Sequence, residues 1–156
     1  MPVKFQPDGY HSITPYLIVK GGAEAIEFYK EALGAEELYR IGGPGGTVGH
    51  AELKIGDSVV MLADECPEWG AKAPDGPTPV GLCLYVPDVD ARFARAVAAG
   101  AAVKKAVQDQ FYGDRSGTVT DPFGHTWTIA THVEDVSPEE IGRRAAEWAQ
   151  KQAQAA

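Results

Sequence analysis

At 156 residues the chain has a single-domain length, and its 44% apolar and 23% charged residues are those of an ordinary globular protein able to bury a real core. A formal charge of −8 argues against nucleic-acid binding, which needs clustered Lys and Arg to neutralise phosphates, and leans toward cationic ligands if the acids line a pocket. No apolar run approaches the roughly 20 residues of a membrane-spanning helix. The start, Met1 to Asp8, lacks a signal peptide's hydrophobic core, so a cytoplasmic protein with no membrane partner is expected.

In chain order, Thr14 to Val19 reads as a strand, and Gly21-Gly22 turns the chain into a helix over about Ala23 to Leu33. Ile26, Tyr29, Ala32 and Leu33 form its apolar stripe, and Gly34 stands where a left-handed cap belongs. Strands follow at Leu38 to Ile41 and Val48 to Ile55, separated by the glycine-rich turn Gly42 to Gly46. Gly56-Asp57 is a hairpin signal leading to a fourth strand ending near Ala63. Residues 66–79, with Pro67, Gly70, Pro74, Gly76, Pro77 and Pro79, read as a linker. Beyond it come a strand at Gly81 to Val86, a helix over about Val89 to Ala99, a tight turn at Asp121-Pro122-Phe123-Gly124 and a last strand ending at Ala130. Ser137-Pro138-Glu139-Glu140 is a capping box that opens a third helix, about 138–151, with Ile141, Ala145 and Trp148 on one face and fraying expected past Lys151.

The second half repeats the first at an offset of 67 residues, which carries Thr14 to Gly81 and Met61 to Thr128. The chain is therefore read as one α+β domain over 1–156, built from two βαβββ modules (about 12–65 and about 80–132) whose paired, curved mixed sheets surround a shared cavity.

This layout resembles the vicinal oxygen chelate superfamily of glyoxalases, bleomycin-resistance proteins and dioxygenases, and within it the PhnB-like group. The resemblance rests on Ile13 to Tyr29, Gly49-His50-Ala51-Glu52-Leu53, Ile55 to Asp64, and Gly113-Asp114-Arg115-Ser116-Gly117 running on to Asp121-Pro122-Phe123-Gly124-His125. It implies a homodimer whose crevices form between paired modules. Metal-dependent members carry one ligand on the first and one on the last strand of each module, typically His and Glu. Projected here those positions are Thr14, Met61, Gly81 and Thr128, none of them a strong ligand for a hard or borderline cation, so no metal and no other cofactor is expected.

Strand alternation predicts the inner surface. Ala51, Leu53, Ile55, Val60 and Leu62 go to the helix layer, leaving His50, Glu52, Lys54, Val59, Met61 and Ala63 facing the cavity. In the second module Leu82, Leu84, Val86, Trp127 and Ile129 pack under the helix, leaving Gly81, Cys83 and Tyr85 inside with Ser116, Thr118, Thr126 and Thr128. With Thr14 and Tyr16 of the first strand, such a surface suits an amphipathic organic ligand. His50 and Glu52 point the same way and are candidates for acid–base catalysis, for ligand contact, or for a solvated ion pair on the rim. Arg115 can clamp an anionic group, or brace its loop through an internal Asp–Arg or helix-terminus contact, and Trp69 can close over a ligand or cover core at a boundary. His11 and His125 are expected to be solvated, His132 to cap the sheet edge, and Cys83 to be a small buried residue; Cys66 and Cys83 have neither metal nor redox spacing. The leading expectation is a metal-independent binder that sequesters a cationic or aromatic compound. The alternatives are an enzyme of altered chemistry, with a displaced metal site or with metal-free acid–base work at His50 and Glu52, and an interaction protein with a filled cavity.

Overall fold

The computed structural model describes residues 3–156; Met1 and Pro2, where the reading of the N-terminal start begins, lie outside the described residues. Each half folds as one module. In the first, β1 (Tyr16–Val19) leads into α1 (Gly22–Leu33), β2 (Glu36–Gly42), β3 (Val48–Ile55) and β4 (Ser58–Asp64). In the second, β5 (Gly81–Tyr85) leads into α2 (Val89–Ala99), β6 (Ala102–Asp109), β7 (Asp114–Thr120) and β8 (Thr126–His132). The sheets have the strand orders β1-β4-β3-β2 and β5-β8-β7-β6, with the first pair of each parallel and the rest antiparallel. The result is an α+β fold with two unclosed mixed sheets and a C-terminal helix, α3 (Pro138–Ala155).

The offset of 67 residues governs the strand register. Tyr16 pairs with Met61 and Cys83 with Thr128. It also governs how each helix starts. In module one the Asp64 carboxylate accepts the N–H groups of Gly21, Gly22 and Val48 at 2.7–2.9 Å, and a Cβ on Gly22 would lie 2.8 Å from it. In module two the corresponding Thr131 hydroxyl accepts the Val89 N–H at 2.9 Å and donates to the Val86 carbonyl at 2.8 Å. Both side chains satisfy helix N–H groups that have no partner within the helix. Gly34, at φ +70°, ends α1 in the left-handed region, as expected of a glycine there.

The modules meet through their helix layers. Ile26, Tyr29, Leu53, Leu62 and Ile129 are fully buried in one core shared by both halves. The junction is polar at its centre. Asp121, only 4% exposed, accepts the Tyr29 hydroxyl at 2.6 Å, the Trp127 indole N–H at 2.9 Å and the backbone N–H groups of Phe123 and His125 at 2.9 Å. Burial, reinforced by the Asp121 carboxylate, drives the Tyr29 phenol's pKa far up, so it remains a donor. Phe123 packs edge-on against Phe28 at 5.9 Å, and the His125 ring reaches the Ile18 carbonyl at 2.9 Å. The expected solvated His125 is thus corrected: it is a half-buried tie between modules. α3 docks through Arg144, which pairs with Glu134 at 2.8 Å, and through Trp148 against Phe111. It is helical to Ala155, beyond the expected end near Lys151, and its first half is laced by pairs of Arg143 with Glu140 and Glu147.

Removing the central acceptor strands two side-chain and two backbone donors in the core. Asp121→Ala should therefore lose at least about 3 kcal/mol in urea unfolding, and Asp121→Asn, which keeps an oxygen acceptor, distinctly less. Equal stability of Asp121→Ala and the wild type would contradict this role.

Candidate functional site

Because the helix layers face each other, the chemistry-bearing side chains lie on the opposite sheet faces. In module one a single cross-strand row runs Tyr16, Met61, Glu52, Tyr39 across all four strands. Glu52, 6% exposed, accepts the Tyr39 hydroxyl at 2.8 Å and lies 3.2 Å from His50 Nε2. The other imidazole nitrogen, Nδ1, is 2.7 Å from the Tyr16 hydroxyl. Tyr16 and Tyr39 flank the imidazole at ring-centre distances of 5.4 and 5.9 Å. Glu52 is therefore buried and His50, with 21% of its side chain exposed, half-buried: the pair is bracketed by two half-exposed phenols beside a groove and is not a freely solvated rim pair. Burial, with a smaller contribution from Tyr39, raises the Tyr16 pKa, so its hydroxyl is held in the donor form.

A groove of about 390 Å³ opens beside the dyad, lined by Thr14, Glu52 and Met61 and walled by Gln6, Tyr10 and His11. This N-terminal wall was not anticipated, because residues 3–12 carry no periodic signal. His11 is exposed as expected, with its Nε2 3.1 Å from the Asp57 carbonyl.

Module two departs from module one along the equivalent row, which runs Cys83, Thr128, Thr118, Lys105. The Thr118 and Thr128 hydroxyls bond to each other at 3.1 Å. At the end of the sheet Asp114 pairs directly across from His132. Asp114 accepts the Tyr85 hydroxyl at 2.8 Å and meets His132 Nδ1 at 2.7 Å, while His132 Nε2 lies 2.9 Å from Asp135. The hydrogen bond to Asp114, aided by burial, pushes the Tyr85 pKa up to about 12. The hydrogen bonds to Asp114 and then Asp135 raise that of His132. Asp114, His132, Tyr39 and Tyr112 were missed as site residues, although strand parity places Asp114 with Ser116 and Thr118, and His132 with Thr126 and Thr128. His132 does more than cap an edge.

Several expectations are corrected. The residues expected to line one shared cavity are divided: Thr14, Glu52 and Met61 line the module-one groove, whereas Cys83 and Tyr85 line a space that both modules wall. That space is a cavity of about 650 Å³, lined chiefly by Ile13, Pro15, Leu82, Leu84, Cys83 and Tyr85. Cys83 is a free, exposed thiol, because β5 is an edge strand with nothing laid over that face; partial burial and then Asp114 raise its pKa. Of the two expectations for Arg115 the structure has the helix-terminus contact and not the clamp: on the helix face it forks onto Asp90, in the first turn of α2, at 2.8 Å and reaches Asp109 at 3.1 Å. Trp69, 87% exposed on a short turn, lines none of these cavities.

The four projected metal positions do not fit a divalent ion. Thr14 and Met61 offer a hydroxyl and a thioether, Gly81 offers nothing, and the Thr128 hydroxyl is engaged with Thr118. Among the described residues no three His, Cys, Asp or Glu side chains converge as a metal-binding group. Among the described residues no helix is long and apolar enough to cross a membrane.

Known proteins match this arrangement. The family model of the Glyoxalase/Bleomycin resistance protein/Dioxygenase superfamily matches residues 9–129. An uncharacterised protein of Mycobacterium bovis, Mb0911c, is 46% identical over 135 residues, spanning 83% of this chain and 89% of that protein. The crystal structure of TioX from a Micromonospora species superposes with a TM-score of 0.64 at 28% identity, covering 79% of this chain and 99% of that one. The PhnB protein from Bacillus cereus shares the fold, with a TM-score of 0.62 at 20% identity over 78% of this chain and 99% of its own.

The His132 contacts carry a pH signature. An imidazole whose folded pKa exceeds the ordinary 6.5 stabilises the fold below that pH, and loses the contribution as pH rises through the folded value. The melting-temperature margin of the wild type over His132→Gln should be largest in acid and narrow as pH rises. A margin that widens with pH would contradict the assignment.

Proposed function

The chain belongs to the Glyoxalase/Bleomycin resistance protein/Dioxygenase superfamily, and on that premise we propose that it is a small-molecule binding protein that works without a metal ion. The observation that carries this reading is the Tyr16–Met61–Glu52–Tyr39 row beside its groove. On this face the positions where metal-dependent relatives hold ligands carry the Thr14 hydroxyl and the Met61 thioether, and beside them stand the Tyr16 and Tyr39 rings and the buried Glu52. Such a surface holds an amphipathic ring system by apolar contact and a few directed hydrogen bonds. Affinity alone suffices for sequestration; the acidic balance of the chain favours a cationic compound, and the tyrosine rings favour an aromatic one.

Homodimer formation completes the reading. Ile13, Tyr16, Ile41, Val80 and Tyr85 are large apolar side chains left exposed along the sheet faces and the free edges of β1 and β5. A second copy that covers them turns open grooves into enclosed crevices. The protein is placed in the cytoplasm on the same reading.

A second reading draws on the dyad itself. Glu52 orients His50, and His50 Nδ1 faces the Tyr16 hydroxyl, an arrangement able to relay a proton to a bound substrate without a metal. Turnover by chelator-treated protein that is lost in both His50→Ala and Tyr16→Phe would favour it.

The test of the leading reading is a calorimetric screen of aromatic compounds against chelator-treated protein. Hits should bind with unchanged affinity before and after chelation, and Glu52→Gln with Tyr16→Ala should weaken them at least about tenfold, near 1.4 kcal/mol. Binding that appears only on adding a divalent ion would overturn it.

A further inference from the structure

A pocket of about 520 Å³ lies between the start of α3 and the end of the module-two sheet. Its walls are the phenols of Tyr85 and Tyr112 and the polar set Asp114, His132 and Asp135, over an apolar floor of Val136 and Ile141. The pocket is constructed by the backbone. The Gly113 carbonyl accepts the N–H groups of Val133 and Glu134 at 2.9 and 3.0 Å, which lays the chain leaving β8 against the start of β7. Gly113 adopts φ +100°, and a Cβ there would come within 2.2 Å of the Glu134 carbonyl oxygen, so only glycine permits the crossing. That crossing brings Asp135 back to His132, and Arg144 fastens the same segment through Glu134.

Charge and chemistry favour one ligand class. Two carboxylates flank a single imidazole, so the set stays net negative even with the imidazole protonated. None of the lining residues is Lys or Arg. Asp114 is 7% exposed, and each of its oxygens has one partner, Tyr85 or His132. A carboxylate oxygen can accept two hydrogen bonds, so Asp114 keeps capacity for a further donor. The pocket is lined by two tyrosines, whose ring systems can attract a cation, and a buried carboxylate repels an anion. The positive end of α3 is offset by Glu139 and Glu140 in its first turn and by the Ser137 cap. Lys105, on the same sheet face, stands opposite Thr118, four residues along β7 from Asp114 and roughly 13 Å away at strand rise.

We propose that this pocket binds an organic ammonium ion, with the charged nitrogen held by Asp114 and Asp135 and the hydrocarbon portion lying on Tyr112, Val136 and Ile141. The proposal rests on the reading of the protein as a small-molecule binder, and adds to it a second site, distinct from the module-one groove, and its ligand class.

The experiment is calorimetry with 2-phenylethylammonium chloride, set against the neutral 2-phenylethanol and the anionic 3-phenylpropionate. In the Glu52→Gln/Tyr16→Ala background, which disables the module-one groove, the ammonium should bind once per chain and at least tenfold more tightly than either comparator. Asp114→Asn should weaken it at least tenfold. Asp135→Asn, at an exposed position with no part in the core, should weaken it several-fold, and keeps the test valid if Asp114→Asn does not fold. His50→Ala should leave it unchanged. Equal binding of all three compounds, or ammonium binding untouched by Asp135→Asn and by a folded Asp114→Asn, overturns the cation site while leaving small-molecule binding standing. Ammonium binding lost in His50→Ala instead moves the ligand to module one and overturns it likewise. Absence of binding by all three, joined to an empty screen on the module-one groove, removes both readings together.

Discussion

The architecture turns on one buried carboxylate. Asp121 gathers a phenol from the helix of one module, an indole from the last strand of the other and two N–H groups of its own turn. A buried acid is costly unless its lone pairs are filled, and these four donors fill them. Their convergence ties the two helix layers together. With the helix layers joined, the opposite sheet faces stay outside the core, and those faces carry the residues with chemistry to offer.

The internal repeat is kept where the backbone needs it and abandoned where it does not. Asp64 and Thr131 occupy equivalent places and satisfy equivalent helix N–H groups with different side chains. The exposed rows share register but little chemistry: Tyr, Met, Glu and Tyr in one module, Cys, Thr, Thr and Lys in the other. Each module instead assembles its own grouping of carboxylate, imidazole and phenol, at positions unrelated by the repeat. A fold of this kind prescribes strand register and core, and leaves the outer face free to diverge.

Much of the fold was legible because periodicity reports it directly. The buried stripe of Ile26, Tyr29, Ala32 and Leu33, the strand Val48–Ile55, the helix Val89–Ala99 and the Ser137 cap stand where their patterns put them. Parity also told which side of each strand faces the helices, including Leu53, Leu62, Trp127 and Ile129. The grooves were less legible. Parity says which face a residue occupies but not whether another layer covers it, which is why Cys83 emerges exposed and Glu52 buried. It stops at strand ends, so the pairing of Asp114 with His132 and the return of Asp135 depend on the Gly113 crossing, a contact between segments about twenty residues apart. Arg115 shows the converse: its parity already assigned it to the helix face, against the attraction of a basic residue in a glycine-flanked loop.

A superfamily known for metal chemistry is represented here by a chain whose corresponding positions hold Thr14, Met61, Gly81 and Thr128. The functional account stands on the chemistry of those four side chains, and on phenol-bracketed carboxylates nearby suited to organic ligands. Its most direct test is elemental analysis of the purified, untagged protein followed by titration with Ni²⁺, Zn²⁺, Mn²⁺ and Fe²⁺ while the melting temperature is followed. The account predicts no stoichiometric metal and no rise in melting temperature with any of the four. One tightly held ion per chain, with a matching rise in melting temperature, would contradict it.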